Sequence, residues 1–268
     1  MRPAHAGVCD SLMDENLWRR LMNRRAFIVG IGTVAATPRR LFAQASGAGA
    51  IEASVAQIEQ EIAAKGADKR PISVNLIAEL IRSELKEPER RVAAYRLVQN
   101  VPYKLTAWNG DPDSLFNLGQ GDCRHKTAAL RALMKALSIK TQHILMVFDW
   151  ADLPIPATIL SNLVETRSFH DTVEIQQDGS NLLVDSTWDP DLAKAGFPVL
   201  TNWNGVNATL PITPKTTVTI RDGDFPKGTD LYVKFGIRWP ERKRTQAFNR
   251  AFNAWTDEVR ARKDSAKG

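Results

Sequence analysis

Gly121-Asp122-Cys123-Arg124-His125-Lys126-Thr127-Ala128-Ala129-Leu130 is the stretch on which the fold of this chain is read. Gly121-Asp122-Cys123 directly precedes a helical pattern. Downstream, Leu130, Leu133, Met134 and Leu137 fall on one helical face with Arg131 and Lys135 on the other. The segment therefore predicts an amphipathic helix with one side on a sheet. Cys123 sits in its first turn, beside unpaired backbone N–H groups and the positive end of the helix dipole. Such a site favours thiolate, lowering a cysteine pKa from about 8.5 to roughly 3.5–7.5. The same N–H groups could receive an oxyanion formed when the thiolate attacks an acyl carbon. Position alone leaves a buried inert thiol equally open.

A hairpin downstream weights the choice. Phe169–Gln177 and Asn181–Thr187 alternate as strands around Asp178-Gly179, a two-residue turn signal. In that register facing pairs sum to 357, so His170 faces Thr187 and Asp185 lies one diagonal step away on the same side. Diagonal neighbours are roughly 7–8 Å apart, within side-chain reach of an imidazole and a carboxylate. A one-residue slip would put them on opposite faces. A thiol at a helix start, an imidazole to take its proton and a carboxylate to fix the tautomer make an activated cysteine nucleophile.

These motifs together resemble the core of the transglutaminase-like superfamily, over roughly residues 90–190. They are Gly121-Asp122-Cys123, the helix through Leu137, His170 ahead of a strand, Asp185-Ser186-Thr187-Trp188, and Val101-Pro102-Tyr103 ahead of the loop. The resemblance implies an α+β fold with a papain/transglutaminase-like core: the catalytic Cys at the N-terminus of a helix packed on an antiparallel sheet, with N- and C-terminal helices. It implies Cys123 as nucleophile, His170 as general base and acid, and Asp185 as orienting carboxylate. Trp108 is an oxyanion or substrate candidate, since related enzymes use an upstream tryptophan; Asn117 and Gln120 compete as amide donors. Animal crosslinking members resemble Gly-Gln-Cys-Trp at the nucleophile, whereas Asp122 and Arg124 flank it here. Asp111-Pro112-Asp113 reads as a solvated turn rather than a calcium loop. Hydrolysis is therefore expected over calcium-dependent crosslinking, with no metal or other cofactor. His125 reads as a rim residue and His143 as a structural histidine in a strand. A zinc cluster of these with Cys123 and His170 lacks standard ligand spacing.

The N-terminal segment bears on location. Arg24-Arg25 precedes a short apolar run to about Ala36, and Ala43-Gln44-Ala45 offers a cleavage site. This order resembles a twin-arginine export signal, and Met22 would make a conventional start. About ten apolar residues fall short of the roughly 20 needed to span a bilayer. Removing residues 1–45 takes away seven Lys/Arg and three acids, so the formal charge falls from +6 to +2. With no basic stripe left, nucleic-acid binding loses its electrostatic basis. Cleavage also discards Cys9, leaving Cys123 without an internal disulfide partner.

The chain divides into an extension and signal (1–45), N-terminal helices (46–90), a catalytic core (91–200) and C-terminal strands and helix packing on the core (201–268). Helices are expected over Ile51–Lys65, Ser73–Leu85, Pro88–Asn100 and Glu241–Arg262, the last with Phe248, Phe252, Trp255 and Val259 in one stripe facing the core. Strands are expected over Thr141–Phe148, Thr216–Arg221 and Leu231–Arg238, long loops over Asn100–Asn117 and 190–215, and a loop or lid over 151–168. The expected function is an exported, periplasmic or secreted cysteine hydrolase or acyltransferase. It would act on peptide or isopeptide bonds of a peptide or protein substrate in the cell envelope, without stable membrane insertion. A non-catalytic envelope scaffold or peptide-binding module is the alternative.

Overall fold

The computed structural model describes residues 47–67, 71–177, 179–215 and 218–262. The export segment with Cys9, Asp178 of the hairpin turn, and Thr216 and Thr217 of the expected strand lie outside the described residues. Among the described residues, no helix is long and apolar enough to cross a membrane.

The helices are α1 (Gly47–Ala67), α2 (Val74–Glu84), α3 (Glu89–Gln99), α4 (Ser114–Leu118), α5 (Cys123–Ala136), α6 (Ala157–Leu160), α7 (Leu231–Lys234) and α8 (Arg242–Ala261). The strands are β1 (Thr141–Asp149), β2 (Arg167–Gln177), β3 (Ser180–Val184) and β4 (Val218–Arg221). They form one antiparallel sheet in the order β3-β2-β1-β4. The molecule is thus α+β.

Helix α5 lies between the sheet and the N-terminal helices. Its Ala129, Leu130, Leu133 and Met134 share one core with Ile77 and Ile81 of α2, most of α3, and Val173, Ile175 and Val184 of the sheet. Burial of these side chains, at about 25 cal/mol per Å² of apolar surface, holds the helical layer on the strands. Ser73 caps α2 by accepting from the Leu76 N–H. Most of α3 is buried, so its sides meet both α1 and α5.

A second core is aromatic. Phe248, Phe252 and Val259 of α8 meet Tyr103, Phe148, Trp150, Trp188 and Phe197. The α8 stripe therefore faces the interior, as its periodicity predicts.

Two segments depart from expectation. Leu231–Arg238 is not a strand: Asp230 caps a short helix by accepting from the Val233 N–H, and Gly236 at φ 60° turns the chain out of it. Its alternating apolar residues gather Tyr232 and Phe235 around Phe169 instead. The loop 100–117 contains helix α4, stopped by Gly119 in the left-handed conformation.

The hairpin has the expected register. From Gln177↔Ser180 to Val173↔Val184 every facing pair sums to 357. The ladder stops at Val184, and past that point the edge of β2 is met by the N-terminal turn of α5. Thr127 Oγ1 donates to the Asp171 carbonyl at 2.8 Å, and the Asp171 backbone N–H is directed at the Cys123 sulfur. The start of α5 is thus docked on the exposed edge of β2.

Candidate active site

The turn holding Cys123 is built by its neighbours. Asp122 is the N-cap of α5, and its carboxylate accepts from the backbone N–H of Arg124 at 3.0 Å and of His125 at 3.4 Å. His125 Nδ1 lies 2.8 Å from Asp122 Oδ1 and 3.3 Å from the Asp122 backbone nitrogen. This reciprocal arrangement is a capping box with histidine in the third position. His125 is therefore fully buried rather than on the rim. Its ring meets Trp108 edge-on at 4.7 Å, so Trp108 buttresses the cap. Gly121 is required by space: a Cβ there would lie 2.6 Å from the His125 Cβ and 2.8 Å from Leu115 Cδ1. Gly121 also bridges to Tyr103, its N–H donating to Pro102 O and its carbonyl accepting from the Lys104 N–H. That bridge is why Val101-Pro102-Tyr103 accompanies the cysteine motif.

The cap changes what the helix start can offer. Asp122 occupies the amides of Arg124 and His125, and the Lys126 amide closes the first turn on the Asp122 carbonyl. These N–H groups are not open to an oxyanion, contrary to the expectation from position. The Cys123 amide is the first-turn donor outside that set. Arg124 grips Asp122 Oδ2 through Nε and Nη2 and also donates to Thr106 O at 3.0 Å. Burial alone would raise the Asp122 pKa; hydrogen bonding from His125 and the charge of Arg124 hold it below the usual carboxylate range.

The thiol is not depressed towards thiolate. Burial, then the Asp171 carboxylate, then Asp122 push its pKa well up, against the Asp171 backbone N–H and Arg124. The sulfur's hydrogen bond runs to Asp171 Oδ2 at 3.9 Å, and none among the described residues joins it to the His170 ring. Burial first, and then the charges of two carboxylates, act against the helix start's preference for thiolate.

His170 and Asp185 are brought together as the register requires. His170 Nε2 lies 2.8 Å from Asp185 Oδ2, and both side chains are buried. Asp185 Oδ1 accepts from the Thr187 N–H at 3.0 Å, and the Asp185 N–H donates to Thr209 Oγ1 at 2.7 Å. With Nε2 engaged, Nδ1 is the ring nitrogen left for proton exchange. Cys123 packs against the aromatic core containing Phe148, whose ring lies 6.1 Å from that of His170.

The amide candidates separate. The Asn117 side chain clamps the start of α2, accepting from the Ile72 N–H and donating to the Ile72 carbonyl, both at 2.9 Å. It is a structural residue, not an oxyanion donor. Gln120 stands half-buried between the Gly119 turn and the Gly121 bridge.

Three residues escaped the sequence reading. Asp171 touches the thiol and, through Oδ1, His143 Nε2 at 2.9 Å. Asp189 binds Arg260 and the Tyr103 backbone. Lys126 is buried, with Nζ donating to Gln99 O at 3.0 Å and Ser186 O at 3.4 Å. The signal for Lys126 was its place on the apolar stripe with Leu130, Leu133 and Leu137. Burial lowers its pKa to about 7, opposed by Asp189. In an unfolded chain a lysine keeps its proton to about pH 10.4. Between those values the unfolded state binds more protons, so this residue makes stability rise with pH from about 7 to about 10. Urea midpoints at pH 7 and 9.5 should therefore differ in the wild type. Lys126→Met should shrink the difference by raising the lower value.

No protein-family model matches the chain, and no curated protein matches it. A solved structure from Cytophaga hutchinsonii, described as a "putative cysteine protease", is similar at 20% identity with a TM-score of 0.33. The match covers 44% of this chain and 39% of that one, so this chain spans well under two thirds of that protein's length.

Proposed function

We propose that this chain is an exported cysteine hydrolase or acyltransferase of the transglutaminase-like superfamily, acting on peptide or isopeptide amide bonds. The observation that carries the reading is the buried 2.8 Å His170–Asp185 pair beside the sheet edge that seats Cys123. Asp185 holds Nε2–H, so Nδ1 takes the thiol proton as sulfur bonds to the acyl carbon. The Cys123 amide, outside the set taken by Asp122, donates to the oxyanion. Collapse breaks the C–N bond, and His170 returns the proton to the leaving amine, leaving a thioester. Water then attacks, giving up a proton to His170. The C–S bond breaks, releasing a carboxylic acid and restoring the thiol. An amine replacing that water would give transamidation. The twin-arginine pattern in residues 1–45 supports export to the envelope.

Peptides and cell-wall fragments incubated with wild type should be cleaved, and the Cys123→Ala protein should leave them intact. Equal cleavage by both proteins would refute the reading. The raised thiol pKa favours a second reading, a non-catalytic peptide-binding module. Undiminished peptide binding by Cys123→Ala, with no cleavage by wild type, is its signature.

A further inference from the structure

Asp171 stands where a cysteine nucleophile is poorly served by an anion. Its Oδ2 lies 3.9 Å from Sγ, and its charge opposes the thiolate that the reaction needs. The charges around it are committed. Arg124 is held by Asp122 and the Thr106 carbonyl, and Asp122 is matched by Arg124 and His125. Tyr232 stands on the same side of the sheet, and its raised pKa reflects burial first, with Arg124 lowering and Asp171 raising it. His143 fixes Oδ1 at 2.9 Å, and among the described residues no lysine or arginine bonds to the Asp171 carboxylate. The His143 and Asp171 side chains are 26% and 24% exposed, so the pair is open to solvent while His170 and Asp185 are not.

We propose that Asp171 is a specificity-determining residue that pairs with a protonated amine of the substrate, close to the acyl group that Cys123 attacks. The inference rests on the hydrolase reading and names its substrate class: acyl donors with an unblocked amine near the scissile carbonyl. An ammonium on Oδ2 at about 2.8 Å stands within a few bonds of a carbonyl in contact with sulfur. Binding such a cation neutralises the carboxylate that disfavours the thiolate, so the correct substrate prepares its own nucleophile. His143 positions the acceptor by holding Oδ1, which leaves Oδ2 facing the thiol.

The test uses two small alkylating probes on the whole protein: neutral iodoacetamide and cationic 2-bromoethylamine, each rate normalised to that of a free thiol at the same pH. The wild-type ratio should favour the cationic probe by about tenfold. In Asp171→Asn that preference should disappear, while iodoacetamide reacts at least as fast as before. An unchanged ratio overturns the proposal. So does an equal slowing with both probes, which a merely structural role would give, or no labelling of the wild type by either probe. The ratio is read without turnover, so its failure is distinct from a failure to cleave peptides.

Discussion

Replacing His170 with alanine is expected to lower amide hydrolysis by about 100- to 10,000-fold, the usual contribution of a positioned acid–base group. The loss should lie mainly in kcat, because in the proposed mechanism His170 takes the proton as the C–S bond forms and gives it to the leaving amine. Burial sets the control. The Asp185 carboxylate keeps its Thr187 N–H donor but loses the imidazole, so the variant should also melt earlier. His170→Gln keeps a neutral donor beside Asp185 and should recover stability without recovering rate. Activity persisting in both variants would remove His170 from the mechanism.

The second large effect is on stability, at Asp189. This buried carboxylate accepts from the Tyr103 N–H at 2.8 Å and from Arg260 Nη2 at 2.7 Å, while Arg260 also donates to the Tyr103 carbonyl at 2.7 Å. It ties together the chain before the cysteine loop, the segment after Asp185 and helix α8. Asp189→Ala leaves the Tyr103 N–H without its acceptor and Arg260 with only the half-exposed Asp257 and the Tyr103 carbonyl, which costs about 3 kcal/mol. At roughly 2–4 °C per kcal/mol for a domain of this size, thermal unfolding should show a Tm lower by about 10 °C. Asp189→Asn keeps an acceptor for Tyr103 and should fall between. A melting point within a degree of wild type would show the linkage to be dispensable.

What the sequence disclosed follows from period and spacing. Period-two alternation about Asp178-Gly179 set the register that brings His170 to Asp185, and the stripe of Phe248, Phe252 and Val259 set the face of α8. What it concealed depends on where elements end in three dimensions. Asp171 becomes a neighbour of Cys123 because β3 stops at Val184 and α5 takes the vacant edge, and no local pattern encodes that. His125 reads as polar and exposed until its ring is seen closing the cap on Asp122 under Trp108. The thiol's raised pKa is equally non-local: helix position is legible, but burial, its first cause, is set by tertiary packing, and the opposing carboxylate comes from a strand 48 residues on. Leu231–Arg238 alternates like a strand, yet the Asp230 cap and Gly236 decide its shape.

In the proposed mechanism Cys123 carries the acyl group of the substrate. Intact-mass measurement of acid-quenched reactions, with fragmentation to locate the adduct, tests it most directly. With a cleaved peptide or a slow ester analogue, wild type should gain the acyl mass on Cys123, and Asp185→Ala should accumulate less of it. Cys123→Ala should gain none. Cleavage with no adduct on Cys123, or an equal adduct on the Cys123→Ala protein, would rule out Cys123 as the acyl carrier.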